Sequence, residues 1–151
     1  MESQNPGIAN AAANDPLKLV GIAYRTFSRI VDVQLRELGF SMGQLPVLVA
    51  LKHGAALPQS ELARWARVEQ PTMAQLLNRM ERDGLVQRVP DPNDGRSRLI
   101  SLTAQARKQL PKAKAVMDVT GEQATAGFSA QDLAQLTALM LRINANLEAV
   151  E

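Results

Sequence analysis

Apolar residues recur at steps of three and four along most of the chain, which is the period of an amphipathic helix. After Asp15 and Pro16, a capping residue and a proline that suits the first helical position, two apolar stripes run to about Leu38, and Gly39 ends them. We predict one long helix buried on two sides. In a chain this short, one of those sides can belong to a second subunit.

Capping residues, prolines and glycines divide the middle of the chain into shorter helices. The predicted helices cover about 42–53, 58–66 and 71–83. Pro46 lies inside the first of them and is expected to kink it or to restrict its regular part. The second and third are joined by a turn at 67–70, and Gly84 ends the third. Trp65 is expected in the core or as an anchor between helices.

Two stretches with the character of β-strands follow, at 85–89 and 98–102. Between them, residues 91–95 are rich in turn formers. Because the connection is longer than a two-residue hairpin, we expect a projecting loop with Arg96 near its tip and Asp94 close enough to orient it. Helix, turn, helix, strand, basic loop and strand in this order predict a winged helix-turn-helix.

Two further helices complete the pattern. Thr103 is expected to cap one that reaches about residue 126, with a kink at Pro111, and a capping box from Ser129 to Asp132 starts the last. Apolar residues of the last helix alternate at steps of three and four, as in a coiled-coil seam. They are Leu133, Leu136, Met140, Ile143, Leu147 and Val150. This seam suits packing against the first helix and a second subunit.

The predicted fold class is therefore mainly α (α+β), in a single domain over 15–150 after a flexible tail at 1–14. A winged helix-turn-helix lobe at 41–103 is flanked by helices at 15–38 and 104–150 that form a dimerisation region. A length of 151 residues suits one such domain.

Composition excludes several functions without changing this fold. The absence of cysteine and the single histidine argue against disulfides, thiol redox sensing and zinc sites, so we expect no cofactor. No phosphate loop, nucleophile elbow or metal-ligand spacing indicates an enzyme. No secretory signal or apolar run of roughly 20 residues is present, so a cytoplasmic protein is expected. The net charge of +2 does not by itself indicate nucleic acid.

The positions of polar residues, unlike the net charge, indicate a surface that can bind nucleic acid. On a helical wheel, Met73, Leu76, Leu77 and Met80 share one side of the 71–83 helix. Side chains able to bond base edges or phosphates lie opposite or beside them. The candidate DNA-binding residues are Gln70, Pro71, Thr72, Gln75, Asn78, Arg79, Arg82, Asp94, Arg96 and Arg98. The alternative is an ordinary solvated helix face beside a plain hairpin with a surface ion pair.

The stretch VEQPTMAQLLNRMERDGLVQR, the turn DPNDGRSR and the ending LISLT resemble the MarR family of transcription regulators, particularly its SlyA-type branch. The resemblance covers about residues 15–150. It implies a homodimer on a pseudo-palindromic site in double-stranded DNA, with the helix from Pro71 in the major groove and Arg96 as the wing arginine. Many relatives have arginine where Gln75 and Gly95 stand, which leaves base preference and wing anchoring open.

Members of this family often respond to small aromatic acids or phenols. The matching positions here are Tyr24, Arg25, Ser28, Leu45 and Val49. Arg25 could hold a carboxylate between apolar walls. The alternative is that Arg25 forms a structural salt bridge or lies in solvent, beside ordinary core residues.

The function expected is a sequence-specific DNA-binding regulator, a repressor relieved by an aromatic or phenolic ligand. The alternative is a dimeric winged-helix module that binds protein and not DNA. Seven arginines against six acidic residues over 59–103 keep that alternative open.

Overall fold

The computed structural model describes residues 14–151, so nearly all of the tail predicted at 1–14 lies outside the described residues. Six α-helices, one 3-10 turn and a two-stranded antiparallel sheet make up the described chain. They form two compact units, one ending at Met117 and one covering Asp118–Glu151. The order of the elements confirms the mainly helical, winged helix-turn-helix fold.

The first helix, α1 (Pro16–Glu37), begins and ends close to its predicted bounds. The Asp15 carboxylate accepts hydrogen bonds from the backbone N–H groups of Leu17 and Lys18, at 3.1 and 3.3 Å. These bonds satisfy donors that a helix leaves without partners in its first turn. After the last turn, Gly39 takes a φ of +87°, in the left-handed region that glycine favours.

Asp32 connects the end of α1 to the next element. Its carboxylate accepts the backbone N–H of Met42 at 2.9 Å and the Nε–H of Arg36 at 2.7 Å. The hydrogen bond from Met42, and then the one from Arg36, hold the pKa of Asp32 below its usual value because both favour the charged form. The ionised carboxylate therefore stabilises the corner after α1.

A 3-10 turn (Met42–Gln44) precedes α2 (Leu45–Leu51). Pro46 lies in the first turn of α2, where a helix does not need the N–H that proline lacks. The prediction of one helix over 42–53 is therefore wrong at its start, because the regular helix begins only beside the proline. The expected restriction by Pro46 is confirmed.

Helices α3 (Gln59–Ala66) and α4 (Gln70–Arg82) form the helix-turn-helix. Arg67 carries the turn with a φ of +54°, and the N–H of Val68 returns to the carbonyl of Ala63 at 3.0 Å. Gly84 follows α4 with a φ of +75°, as predicted for a left-handed helix end.

Trp65 does not lie in the core, so the prediction of a core residue is wrong, whereas a role as an anchor between helices stays a prediction. Its side chain is 59% exposed, whereas Leu62 and Ala63 of the same helix are buried. Trp65 is two residues beyond Ala63, which is roughly 200° around a helix. Only one side of α3 packs against the lobe, and Trp65 falls outside it.

The wing consists of β1 (Val86–Asp91) and β2 (Asp94–Leu102). The predicted long connection is wrong: only Pro92 and Asn93 separate the strands. Irregularity enters instead through the pairing, since Pro90 lies opposite Arg98 but Asp91 lies opposite Asp94. Residues 95–97 therefore form a bulge on β2 without pairing partners on β1.

The last two helices, α5 (Ala104–Ala124) and α6 (Ala130–Glu148), start at their predicted caps. The Thr103 hydroxyl accepts the N–H of Ala106 at 3.2 Å and donates to the carbonyl of Gly84 at 2.6 Å. Ser129 and Asp132 exchange hydrogen bonds between side chain and backbone at 2.9 and 3.0 Å, which confirms the capping box.

The hydrophobic core lies in the unit that ends at Met117. Aliphatic and methionine side chains dominate it, because aromatic residues make up only 3% of the chain. The largest fully buried side chains are Val31, Leu35, Val47, Leu48, Leu51, Leu62, Met73, Leu77, Met80, Ile100 and Leu102. Ile100 also exchanges two backbone hydrogen bonds with Leu57, at 2.8 and 3.0 Å, which attach the wing to the segment before α3. The helix-turn-helix and the wing thus share one core.

Large apolar side chains stay exposed on the terminal helices. On α1 they are Leu17, Leu19, Val20, Tyr24, Ile30 and Val33. On α6 they are Leu133, Leu136, Leu139, Leu141 and Leu147, and no residue of this helix is buried. No helix in the described part of the chain is long and apolar enough to cross a membrane.

Candidate nucleic-acid interface

The two faces of α4 separate as the helical wheel predicts. Met73, Leu77 and Met80 are fully buried, and Leu76 is partly buried against the core. The DNA-binding candidates on α4 are all exposed: Gln70, Pro71, Thr72, Gln75, Asn78, Arg79 and Arg82. Because the buried side chains anchor one side of the helix in the core, the other side is presented as a rigid surface of hydrogen-bond donors and acceptors.

Gln59 connects the beginnings of α3 and α4. Its side-chain amide donates to the side-chain oxygen of Gln70 at 3.1 Å and to the backbone carbonyl of the same residue at 3.4 Å. The N-terminus of α4, which carries the unpaired backbone N–H groups of a helix start, is thereby held beside that of α3. Sequence reasoning did not single out Gln59.

Arg88 of β1 reaches across to α4. Its Nη2 donates to Oδ1 of Asn78 at 2.8 Å, and its Nε lies 3.3 Å from Oε2 of Glu81. Asn78 and Glu81 are three residues apart on α4 and so share one face. We name this set of three residues the amide clamp. It was missed in the sequence, where Arg88 is only a polar position in a predicted strand.

Two aspartates shape the wing tip through the backbone. The Asp91 carboxylate accepts the N–H of Asn93 at 2.9 Å, and the Asp94 carboxylate accepts the N–H of Arg96 at 3.0 Å. Asp94 thus orients the backbone at Arg96, and no ion pair joins its carboxylate to a guanidinium within residues 14–151. The exposed Arg96 side chain starts from the bulge at the tip.

The arginines of the lobe differ in whether an acidic side chain neutralises them. Arg64 pairs with Glu61 at 3.6 Å, and Arg88 pairs with Glu81. Four others are exposed and form no ion pair with the described residues: Arg79, Arg82, Arg96 and Arg98. All four belong to the predicted interface on α4 and the wing. An anionic partner would therefore meet four guanidinium groups that form no ion pair with the described residues.

The ligand-site candidates on α1 do not gather around one cavity. The Tyr24 ring is 65% exposed. The Arg25 guanidinium lies back along α1, so that a methyl group added at Gly21 would be 3.2 Å from its Nη1. The Ser28 hydroxyl oxygen is buried without a hydrogen-bond partner among the described residues.

Leu45 and Val49, the candidates on α2, do line a cavity of about 480 Å³ between α2 and α5. Its walls are mostly apolar and include Leu48, Leu110 and Met117. Four basic or titratable side chains also line it: Lys52, His53, Arg107 and Lys114. No acidic residue is among the described residues that line it. Sequence reasoning missed the contribution of α5 to this cavity.

Comparisons with known proteins agree on one family. The sequence model of the MarR family matches residues 38–97, which include α2, the helix-turn-helix and most of the wing. The crystal structure of transcriptional regulator PA3341 is 32% identical to this chain. The matched region covers 87% of this chain and 96% of the chain in that structure, with a TM-score of 0.74. The chain belongs to the MarR family.

More distant structures show the same MarR fold. The transcriptional regulator SlyA matches with a TM-score of 0.81 at 23% identity, over 91% of this chain and all of that one (100%). A MarR family regulator from Listeria monocytogenes, crystallised with 26mer DNA, matches with a TM-score of 0.79 at 20% identity, over 89% of each chain. The expected SlyA-like MarR fold is confirmed. Because MarR proteins are DNA-binding transcriptional regulators, the expectation that this chain is not an enzyme is confirmed as well.

The structure also bears on the two departures from many MarR relatives. Gln75 is exposed on the outer face of α4, so an arginine at this position would find space there too. Gly95 has no positive φ, and a Cβ placed on it meets no atom within 4 Å among the described residues. The backbone at the wing tip therefore does not require glycine at position 95. The lack of a charged side chain there is not imposed by the backbone.

Proposed function

We propose that this MarR protein is a homodimeric repressor that recognises a pseudo-palindromic site in double-stranded DNA. The observation that carries the proposal is the set of unpaired arginines on α4 and the wing, in one lobe with a common core. Phosphate contacts by such residues supply affinity, and contacts to base edges supply specificity. Action in the cytoplasm is part of the proposal, because the protein must reach its DNA.

Helix α4 is proposed to enter the major groove. This groove admits an α-helix and presents a different pattern of donors and acceptors for each base pair. Gln75 and Asn78 lie on the exposed face and carry amides that can bond base edges, while Thr72 and Arg79 flank them and can contact phosphates. The buried side of α4 supports the proposal, since a rigid helix loses little freedom on binding.

The wing is proposed to reach the minor groove through Arg96. A narrow minor groove concentrates negative potential and favours an inserted arginine. Arg96 suits this role because it extends from the bulge at the tip, and because the Asp94 carboxylate holds its backbone. Arg98, further along β2, is exposed and can contact the flanking phosphates.

Dimerisation through the terminal helices is the third part of the proposal. It is supported by the exposed apolar side chains that each of α1 and α6 carries, because exposed apolar patches mark interaction sites. A two-fold dimer also explains a palindromic site, in which the two α4 helices would lie one DNA turn, about 34 Å, apart.

Salt titration of binding to duplex DNA, with two variants, tests the proposal. Arg96→Ala should weaken binding to all sequences and lower the salt slope by about one, whereas Gln75→Ala should mainly relax base preference. Arg64→Ala, which removes a charge already paired with Glu61 outside the proposed interface, is the matched control. Unchanged affinity for Arg96→Ala would refute the role of the wing. No affinity for DNA even at low salt would favour the protein-binding module instead.

We further propose that a small aromatic acid or phenol relieves repression. The cavity lined by Leu45 and Val49 supports this idea, since its walls are apolar and its charged side chains are basic. Apolar walls suit an aromatic ring, and Lys52 or Arg107 can pair with a carboxylate. Arg25 and Tyr24 do not line this cavity, and their part in binding stays a prediction.

Salicylate is a suitable probe for the effector proposal. It should raise the melting temperature of the protein and reduce its affinity for DNA, and Arg107→Met should reduce both effects. Arg25→Met distinguishes a site on α1 from one in the cavity. If salicylate-like acids and simple phenols change neither the melting temperature nor DNA affinity, the effector proposal is wrong while DNA binding is unaffected.

A further inference from the structure

The amide clamp fixes the orientation of the Asn78 side-chain amide. Arginine has five N–H donors and no acceptor, so only the side-chain oxygen of Asn78 can face the Arg88 Nη2 that lies 2.8 Å away. The Nδ2 amino group must then point away from Arg88, and it makes no hydrogen bond with the described residues. An asparagine side chain that could otherwise flip is thus held in one orientation.

Glu81 holds Arg88 in this position from the other side. Its Oε2 lies 3.3 Å from Nε, while Nη2 is directed at Asn78. The Arg88 and Glu81 side chains are 30% and 45% exposed, so their ion pair contributes little to stability. Orientation of the guanidinium, and through it of Asn78, is the larger consequence of the contact.

We propose that Arg88 is a positioning residue that makes Asn78 a hydrogen-bond donor toward DNA. This inference rests on the proposed function, in which the outer face of α4 enters the major groove. A donor suits guanine, whose N7 and O6 are both acceptors, better than cytosine, which presents an amino group. The Asn78 side chain should therefore favour guanine at the base it contacts.

Adenine is disfavoured by the same geometry. Asparagine normally bonds adenine in two ways, donating to N7 and accepting from the N6 amino group. Here the accepting oxygen already carries the hydrogen bond from Arg88. An adenine amino group bound at its remaining lone pair would lie beside the guanidinium, whose positive charge repels the amino hydrogens. The clamp should therefore discriminate between the two purines.

The test starts with sites selected from random duplexes by the wild-type protein. Affinities are then measured for all four bases at each position of the selected site, for wild type and for Arg88→Met. Arg88→Met removes the hydrogen bond to Asn78 and the ion pair with Glu81 while keeping an unbranched apolar side chain. At one position in each half-site, wild type should prefer guanine over adenine by roughly fivefold or more, and Arg88→Met should lose most of that preference.

Arg64→Met is the matched control, because it removes an arginine paired to a glutamate on the same lobe but outside the clamp. It should leave the ranking of bases unchanged. If Arg88→Met weakens all sequences equally and keeps the wild-type ranking, Arg88 is only a phosphate contact or a structural residue, and the proposal is wrong.

Asn78→Asp provides a second test that does not depend on the stability of Arg88→Met. Aspartate keeps an oxygen for Arg88 but has no donor at neutral pH. It should lose the guanine preference at the same position, and retention of that preference would overturn the proposal. Selection of no duplex by the wild-type protein at low salt would mean that DNA binding itself is absent. Sequence-independent binding by wild type would leave the proposed DNA contact standing and refute the clamp.

Discussion

The winged lobe and the last helix differ in whether their apolar side chains are buried. In the lobe, α4 places Met73, Leu77 and Met80 fully inside a core shared with the wing. In α6, leucines recur at similar helical spacing, yet none of them is buried. The same periodicity therefore accompanies two different situations. The lobe completes its own core, whereas α6 offers an apolar surface that a second subunit can cover.

This difference supports the separate roles proposed for the two regions. A region with a complete core can hold surface side chains in fixed positions, which recognition of DNA requires. A helix with exposed apolar side chains gains stability when a partner buries them. Stability of the lobe and association through α6 should therefore respond to different substitutions.

Leu77→Ala should have the largest effect on stability. Truncation of this fully buried side chain leaves a cavity in the core under α4 and should cost about 2–5 kcal/mol. Urea denaturation measures the loss. Leu76→Ala, which truncates the partly exposed side chain of the preceding residue, should cost less. Equal losses at the two positions would contradict the assignment of the core face.

Leu136→Asp should weaken the proposed dimer while leaving the core of the lobe intact. A carboxylate placed in an apolar interface costs several kcal/mol, so association should weaken at least about a hundredfold. Light scattering over a range of protein concentrations measures this change. Gln135→Asp adds the same charge in the same turn but outside the apolar seam, and should have little effect. A monomeric mass for wild type at micromolar concentration would refute dimerisation.

Gly95→Arg should strengthen DNA binding without disturbing the fold. The backbone at this position does not need glycine, and an added Cβ meets no described atom within 4 Å. The new charge next to Arg96 should raise affinity for all duplexes severalfold and make the salt slope steeper by about one. Gly95→Gln controls for side-chain size. A lower melting temperature for both variants would show that the wing tip does not accept a side chain.

Asp32→Asn should have the smallest effect, and it should depend on pH. Because the pKa of Asp32 is lowered in the folded state, its charge stabilises the fold above the unfolded pKa of about 3.9, and this contribution is lost as pH falls through the folded pKa. Asparagine can still accept the N–H of Met42 but carries no charge. The variant should melt below wild type at pH 7, and the gap should close in acid. A constant gap would contradict this account.

Local signals in the sequence predicted much of the fold. Asp15, Thr103 and Ser129 each begin a helix, and Gly84 follows the end of α4, because capping depends on hydrogen bonds within a few residues of the cap. The outer face of α4 was predictable for a similar reason, since helical periodicity alone separates Gln75 from Leu77. Trp65, which was expected in the core but is exposed, shows what helical periodicity does not predict. Periodicity gives the direction of a buried stripe but not its width.

In the wing, too, local sequence signals predicted the turn but not its length or the position of the bulge. Turn formers predicted a reversal between 91 and 95, but the turn has only two residues, and the irregularity lies in β2. The Asp91 and Asp94 carboxylates accept backbone N–H groups on either side of the turn. Strand pairing then decides which residues lie in the bulge. The position of Arg96 at the tip therefore depends on register as well as on its place in the sequence.

For this protein, the sequence by itself determined the helix starts capped by Asp15, Thr103 and Ser129, the order of elements and the polar face of α4, because these depend on neighbours along the chain. Tertiary structure decided the contact between Arg88 and Asn78, the cavity between α2 and α5, and the exposure of the α6 leucines. Each of these depends on residues that only folding brings together or leaves apart. A hydrogen bond from β1 to α4 has no signature in either segment, yet it selects the group that Asn78 presents.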